Sequence, residues 1–157
     1  FNLINYRPPL IAFASAGWKD SVANIDATGE FVWNLATRAQ AEAMNASSAN
    51  VDAGVDEFEL ANLATLPSKV VKPPRVAGSP VHFECKLTQL VRLENRQGDA
   101  LDQWLVIGEA VGIHIDPAML EDGVYQTARP VPITRGGGPA DYFAITQDAL
   151  FRMKRPD

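Results

Sequence analysis

The chain has 157 residues, a formal net charge of −5 and a single cysteine. That length matches one compact domain with a full core, and the acidic balance leaves no basic footprint for nucleic acid, whose binding rests on clustered Lys and Arg. One cysteine, Cys85, excludes a disulfide framework and a multi-cysteine zinc site and suits a reducing cytoplasm; no apolar run approaches the roughly 20 residues that span a bilayer, and no secretory signal pattern is present.

Pro8 and Pro9 lead into Leu10 to Ala14, "LIAFA", a short apolar run bounded by turn residues that predicts a buried strand. The next stretch, "SAGWKDS" from Ser15 to Ser21, gathers a cation and two hydroxyls before a helix predicted to about Thr28. Asp20 and Ser21 are its candidate N-caps, and Gly29 its left-handed C-terminal residue. A strand over "EFVWNL" follows, and Thr37 with Gln40 forms a capping box for a helix to about Met44. "NASSANVDAG", residues 45–54, breaks regular structure, and Asp56 with Glu59 opens another short helix.

Between Pro67 and Pro80 lie four prolines and three basic residues, which predicts a loop or an edge excursion. "VHFECKL" alternates, with Val81, Phe83, Cys85 and Leu87 on one face and His82, Glu84 and Lys86 on the other, as in a half-buried antiparallel strand. A turn at 96–99 leads to "QWLVIGEAVGIHI", long enough for a bent barrel strand. Its small residues Gly108, Ala110 and Gly112 would let another backbone or a flat ligand approach. Asp116 and Pro117 begin a brief helix that Gly123 ends, and Gly136 to Gly138 precede Tyr142 and Phe143 in a tail that reads as flexible or as a ligand contact. With no internal repeat and no regular β-α-β alternation, the fold class is mainly β with short inserted helices, closing as a small antiparallel barrel.

Few residues offer chemistry. Lys19, the hydroxyls and the N–H groups of a helix start together suit a phosphate; equally, Asp20 and Ser21 serve as caps beside a solvated lysine, and spacing alone leaves both readings open. The glycine pattern of a P-loop is absent. His82 and His114 lack a zinc-binding spacing, and Cys85, on the apolar face, reads as buried and inert.

Four stretches, "RPPLIAFASAGWKDSVANIDATGEFVWNLATRAQAEAMNASS", "GVDEFELANLATLPSKVVKPPRVAGSPVHFECKL", "WLVIGEAVGIHID" and "GGGPADYF", resemble in order the flavin reductase-like family, with its FMN-binding split β-barrel and its flavoredoxins. The resemblance implies one domain over residues 1–157 and FMN bound at a homodimer interface. It implies a phosphate near Ser15, Trp18, Lys19, Asp20 and Ser21, the Ala14 backbone near the flavin ring, Asn45, Ser47 and Ser48 near the cofactor or the dimer seam, and Tyr142 over one side of the flavin. Family members carry further N-terminal strands ahead of this point, so a chain opening on Phe1 is expected to start inside a longer protein. The implied activity is hydride transfer from NADH or NADPH to flavin, with a flavin-dependent oxygenase or another electron acceptor as partner. An FMN electron carrier that does not oxidise NAD(P)H, and a split-barrel protein without flavin, are the competing readings.

Overall fold

The computed structural model describes residues 2–49, 51–52 and 54–156, so Asn50 and Ala53 of the irregular 45–54 stretch lie outside the described residues. Two compact units divide the chain, one of Phe1–Trp33, Thr65–Val76 and His82–His114, the other of Asn34–Ala64, Ala77–Val81 and Ile115–Asp157. Among the described residues no helix is long and apolar enough to cross a membrane.

In the first unit β1 (Asn2–Asn5), β2 (Leu10–Ala16), β3 (Glu30–Asn34), β6 (Val81–Glu94) and β7 (Ala100–Ile115) form a five-stranded sheet in the order β1-β2-β7-β6-β3. β2 runs antiparallel to β7, Leu10 opposite Glu109 and Ser15 opposite Trp104. β1 runs antiparallel to β2, Asn2 opposite Ala12 and Leu3 opposite Ile11. Between β2 and β3 lies α1 (Asp20–Thr28), which buries Val22 and Ile25, three residues apart on one helix face. Gly29 closes it at φ 69°, its N–H donating to the Ile25 carbonyl at 2.8 Å, the left-handed ending its sequence predicts. Ile11, Val22, Ile25, Phe31, Cys85, Val106 and Ala110 make the core.

The structure corrects several expectations here. α1 starts after Lys19, not after Asp20 or Ser21, and no side chain caps it. The first five residues of β6 are buried or half-buried on both faces, with His82 5% and Glu84 0% exposed, because the 67–76 excursion covers the face that alternation marked as polar. The small residues of β7 serve this chain's own side chains: a Cβ at Gly108 would lie 2.5 Å from the Phe31 ring, and one at Gly112 would lie 3.3 Å from Val70 and 3.4 Å from Glu84. That packing, and not a ligand, explains the absence of side chains at Gly108 and Gly112. Within the excursion Arg75–Val76 (β5) pairs with Thr65–Leu66 (β4).

In the second unit Thr37 precedes a single 3-10 turn, Arg38–Gln40, which runs into α2 (Ala41–Ala46). The capping box is not formed: the Thr37 hydroxyl meets the Gln40 side chain at 3.4 Å and caps no backbone N–H. α3 (Glu57–Leu60) is capped as its sequence predicts, the Phe58 N–H donating to Asp56 Oδ1 at 2.8 Å. Asp116 likewise accepts from the Ala118 N–H at 2.9 Å, opening the 3-10 turn Pro117–Met119. Gly123 does not end that turn. With Asp122 it makes the tight connection between β8 (Leu120–Glu121) and β9 (Val124–Tyr125), both residues at positive φ, 49° and 76°. The glycine-rich tail is an ordered hairpin of β10 (Ile133–Arg135) and β11 (Tyr142–Ala144), with Arg135 opposite Tyr142.

Candidate functional site

At the β2–α1 junction of the first unit the chain turns at Gly17, φ 84°, whose N–H donates to the Asp102 carbonyl at 3.0 Å. The positive φ is one that glycine adopts without steric cost. The turn leaves Trp18, Lys19, Asp20 and Ser21 exposed and Ser15 half-buried. Ser15 Oγ donates to the Gly17 carbonyl at 3.2 Å and thus steadies the turn. Trp18 stands edge-on to Trp104, ring centres 4.5 Å apart, which fixes the approach to the helix. A helix start carries orphan N–H groups and a partial positive charge. Here Lys19 holds the cap position without a side-chain cap bond, so those donors stay available and a full positive charge stands beside them. The arrangement fits a phosphate; the Asp20 carboxylate in the first turn opposes an anion, and so does the Asp102 carboxylate, which would lie 3.6 Å from a Cβ at Gly17. Ala14 lies on β2, opposite Leu105 of β7.

The other expected residues belong to the second unit. Asn45 and Tyr142 line one groove of about 560 Å³ together with Arg38, Arg135, Met44 and Phe143. Ser47 and Ser48 do not line it. Their hydroxyls donate to the carbonyls of Met44 and Asn45, at 2.8 and 2.7 Å, and close the end of α2. The arginines were missed in the sequence, because an arginine at the start of a helix and one before a run of glycines look like surface charges; only the fold puts them in one groove.

A buried polar cluster in the first unit was missed as well. The Glu84 carboxylate accepts from the backbone N–H groups of Lys69, Val70 and Val71 at 2.8, 2.5 and 3.1 Å and contacts His114 Nε2 at 2.5 Å. Burial pushes its carboxyl up, but the N–H groups of Lys69 and Val70, the His114 bond and the Val71 N–H outweigh it and hold the pKa down at about 2. Burial lowers His82, opposed by the bond of its Nε2 to the Val76 carbonyl at 2.9 Å. Burial also pushes the Cys85 thiol up to about 12, so it stays protonated and unreactive, as its place on the strand predicts. The cluster ties the 69–71 segment to β6 and β7.

The Flavin reductase like domain family matches residues 1–134. With that match over most of its length, the chain belongs to this family, and its fold is the split barrel, mainly β with short helices. An uncharacterized protein of Deinococcus radiodurans is 33% identical over 132 residues, covering 77% of this chain; the chain spans 58% of that relative's length. The crystal structure of nitrilotriacetate monooxygenase component B from Bacillus cereus superposes with a TM-score of 0.86 at 28% identity, covering 97% of this chain and 75% of that one. A Shewanella frigidimarina structure with a split barrel domain, 23% identical, shares the fold at a TM-score of 0.84 over 99% of this chain and 75% of that one.

Proposed function

We propose that the protein is a cytoplasmic, FMN-binding flavin reductase that accepts hydride from NADH or NADPH and delivers reduced flavin or electrons to a partner. The uncapped start of α1 beside Lys19 carries the reading: in a member of this family an open row of helix N–H groups beside a free lysine is what a flavin phosphate requires. When bound, FMN supplies a ring that accepts hydride at N5, and the protein's work is orientation and exclusion of side reactions. Lys19, Ser21 and the first-turn N–H groups hold the phosphate, Ser15 and Trp18 shape the turn that presents them, and Asp20 accepts from a ribityl hydroxyl. The Ala14 backbone on β2 would lie near the ring. Asn45 and Tyr142 belong to the separate groove of the second unit, while Ser47 and Ser48 support α2.

A homodimer with flavin at its seam is part of this reading, and its support is the membership in the family. The likeness to a monooxygenase component supports an oxygenase as the acceptor of the reduced flavin.

The test is a visible spectrum of the intact, full-length protein with FMN, before and after anaerobic addition of each nicotinamide nucleotide. Bleaching of the flavin bands is the expected result. Bands that persist would make the protein a carrier reduced by another protein, and a failure to bind FMN would remove the cofactor. Lys19→Ala is expected to weaken FMN about tenfold, the loss of one charge-assisted contact; an unchanged dissociation constant takes Lys19 out of the site.

A further inference from the structure

The groove of the second unit sets two guanidinium groups, Arg38 and Arg135, in a chain of net charge −5. Arg135 is held in place: Nη1 donates to Tyr142 Oη at 3.1 Å, Nη2 donates to the Pro139 carbonyl at 3.2 Å, and its guanidinium carbon lies 5.0 Å from the centre of the Tyr142 ring. A guanidinium carries five N–H donors, so these bonds orient Arg135 without exhausting it. Arg38 meets Glu42 through Nη1 at 3.2 Å to both carboxylate oxygens, but the two side chains are 60% and 78% exposed. So open an ion pair is weak, and a phosphate dianion competes with Glu42 on good terms. Phe143, 64% exposed, adds an aromatic face and Asn45 an amide.

Guanidinium groups bind phosphate through paired N–H bonds, and flat bases stack on aromatic or guanidinium faces. One groove offering both suits a phosphorylated nucleoside.

We infer that this groove takes the 2′-phosphorylated adenosine end of NADPH, with Arg38 and Arg135 on the 2′-phosphate, and that the protein therefore uses NADPH in preference to NADH. The inference rests on the reductase reading and names its hydride donor. The 2′-phosphate is the one group by which the two donors differ, so an arginine pair that binds it discriminates between them by charge.

Two measurements on the intact, full-length protein decide it. In steady-state assays with FMN, kcat/KM is expected to favour NADPH at least about tenfold; Arg135→Gln and Arg38→Gln are each expected to raise KM for NADPH about tenfold while leaving kcat and the NADH parameters unchanged. Equal use of the two donors, or variants that affect both alike, overturns the inference, and so does a weakened affinity for FMN, which would make the groove a flavin subsite. Calorimetry with adenosine 2′,5′-bisphosphate against adenosine 5′-monophosphate separates the two readings. If neither donor bleaches the flavin, the reductase reading fails, yet tighter binding of the 2′,5′-bisphosphate that Arg135→Gln abolishes still upholds the groove. Equal binding of the two nucleotides overturns it.

Discussion

Two rows of backbone N–H groups in the first unit meet different fates. At Lys69, Val70 and Val71 successive donors converge on the Glu84 carboxylate, which is shut away from water. At the start of α1 the donors meet no side-chain cap, and Lys19, Asp20 and Ser21 beside them are exposed. The same chemistry, N–H groups gathered around a position for an anion, is closed by the chain's own carboxylate in one place and left open in the other. A closed row repays the burial of its charge only while every bond is made. An open row forgoes the stability of a cap and stays available to a ligand.

The largest effect is expected from breaking the closed row. Glu84→Ala strands three N–H groups, the Val71 one buried and the other two half-buried, and His114, and should destabilise the fold by about 3–5 kcal/mol in urea unfolding. A loss under about 1 kcal/mol would mean that water replaces the carboxylate at little cost.

Acid should reach the closed row next. The Glu84 carboxyl titrates at about 2 in the fold against an ordinary 4.5, so the unfolded chain takes up this proton first as pH falls. Its stabilisation is complete above about pH 4.5 and lost progressively toward pH 2, about 3.5 kcal/mol in all at roughly 1.4 kcal/mol per pH unit. His82, lowered from 6.5 chiefly by burial, adds a loss as pH falls below 6.5, because the unfolded imidazole takes a proton that the buried ring resists. Unfolding free energy measured from pH 8 to pH 2 in the native chain and in Glu84→Gln checks both: the variant should lose the lower component and keep the upper one.

Closing the open row sharpens the comparison. Lys19→Asp supplies α1 with a cap and should raise stability by about 1 kcal/mol, while weakening FMN at least tenfold, about 1.4 kcal/mol, by removing a cation and placing an anion among the phosphate's donors. A variant that gains stability and keeps its flavin would show that the row serves only the helix. The smallest effect is reserved for Asp56→Ala, at the capped start of α3: about 1 kcal/mol of stability lost, with FMN affinity unchanged in fluorescence titration.

These tests separate what can be read along the chain from what cannot. The capping bonds of Asp56 and Asp116 span two residues, and Gly29 ends α1 from the adjacent position; signals of that range are legible because sequence neighbours are necessarily neighbours in space. The polar junction at Ser15 to Ser21 was legible for the same reason, although the cap assigned to Asp20 or Ser21 was not, since cap preference is too small to outweigh the turn at Gly17 that sets where α1 begins. Arg38 and Arg135 stood outside any pattern, because nothing local tells an arginine in a groove from one in water.

By itself, then, the sequence determined the order of the long strands β2, β3, β6 and β7 and of the helices α1 to α3, the buried inert Cys85, the polar junction before α1 and, through its resemblance, the family. Tertiary structure alone decided that the polar face of β6 would be buried, that Gly108 makes room for Phe31 and not for a ligand, and that Asn45, Tyr142 and two arginines would share a groove. The physical reason is range. A helix cap or a turn is settled by groups a few residues apart, whereas the value of a buried carboxylate such as Glu84 depends on donors 13 to 15 residues before it and a histidine 30 residues after it, and no local pattern records that such partners will arrive.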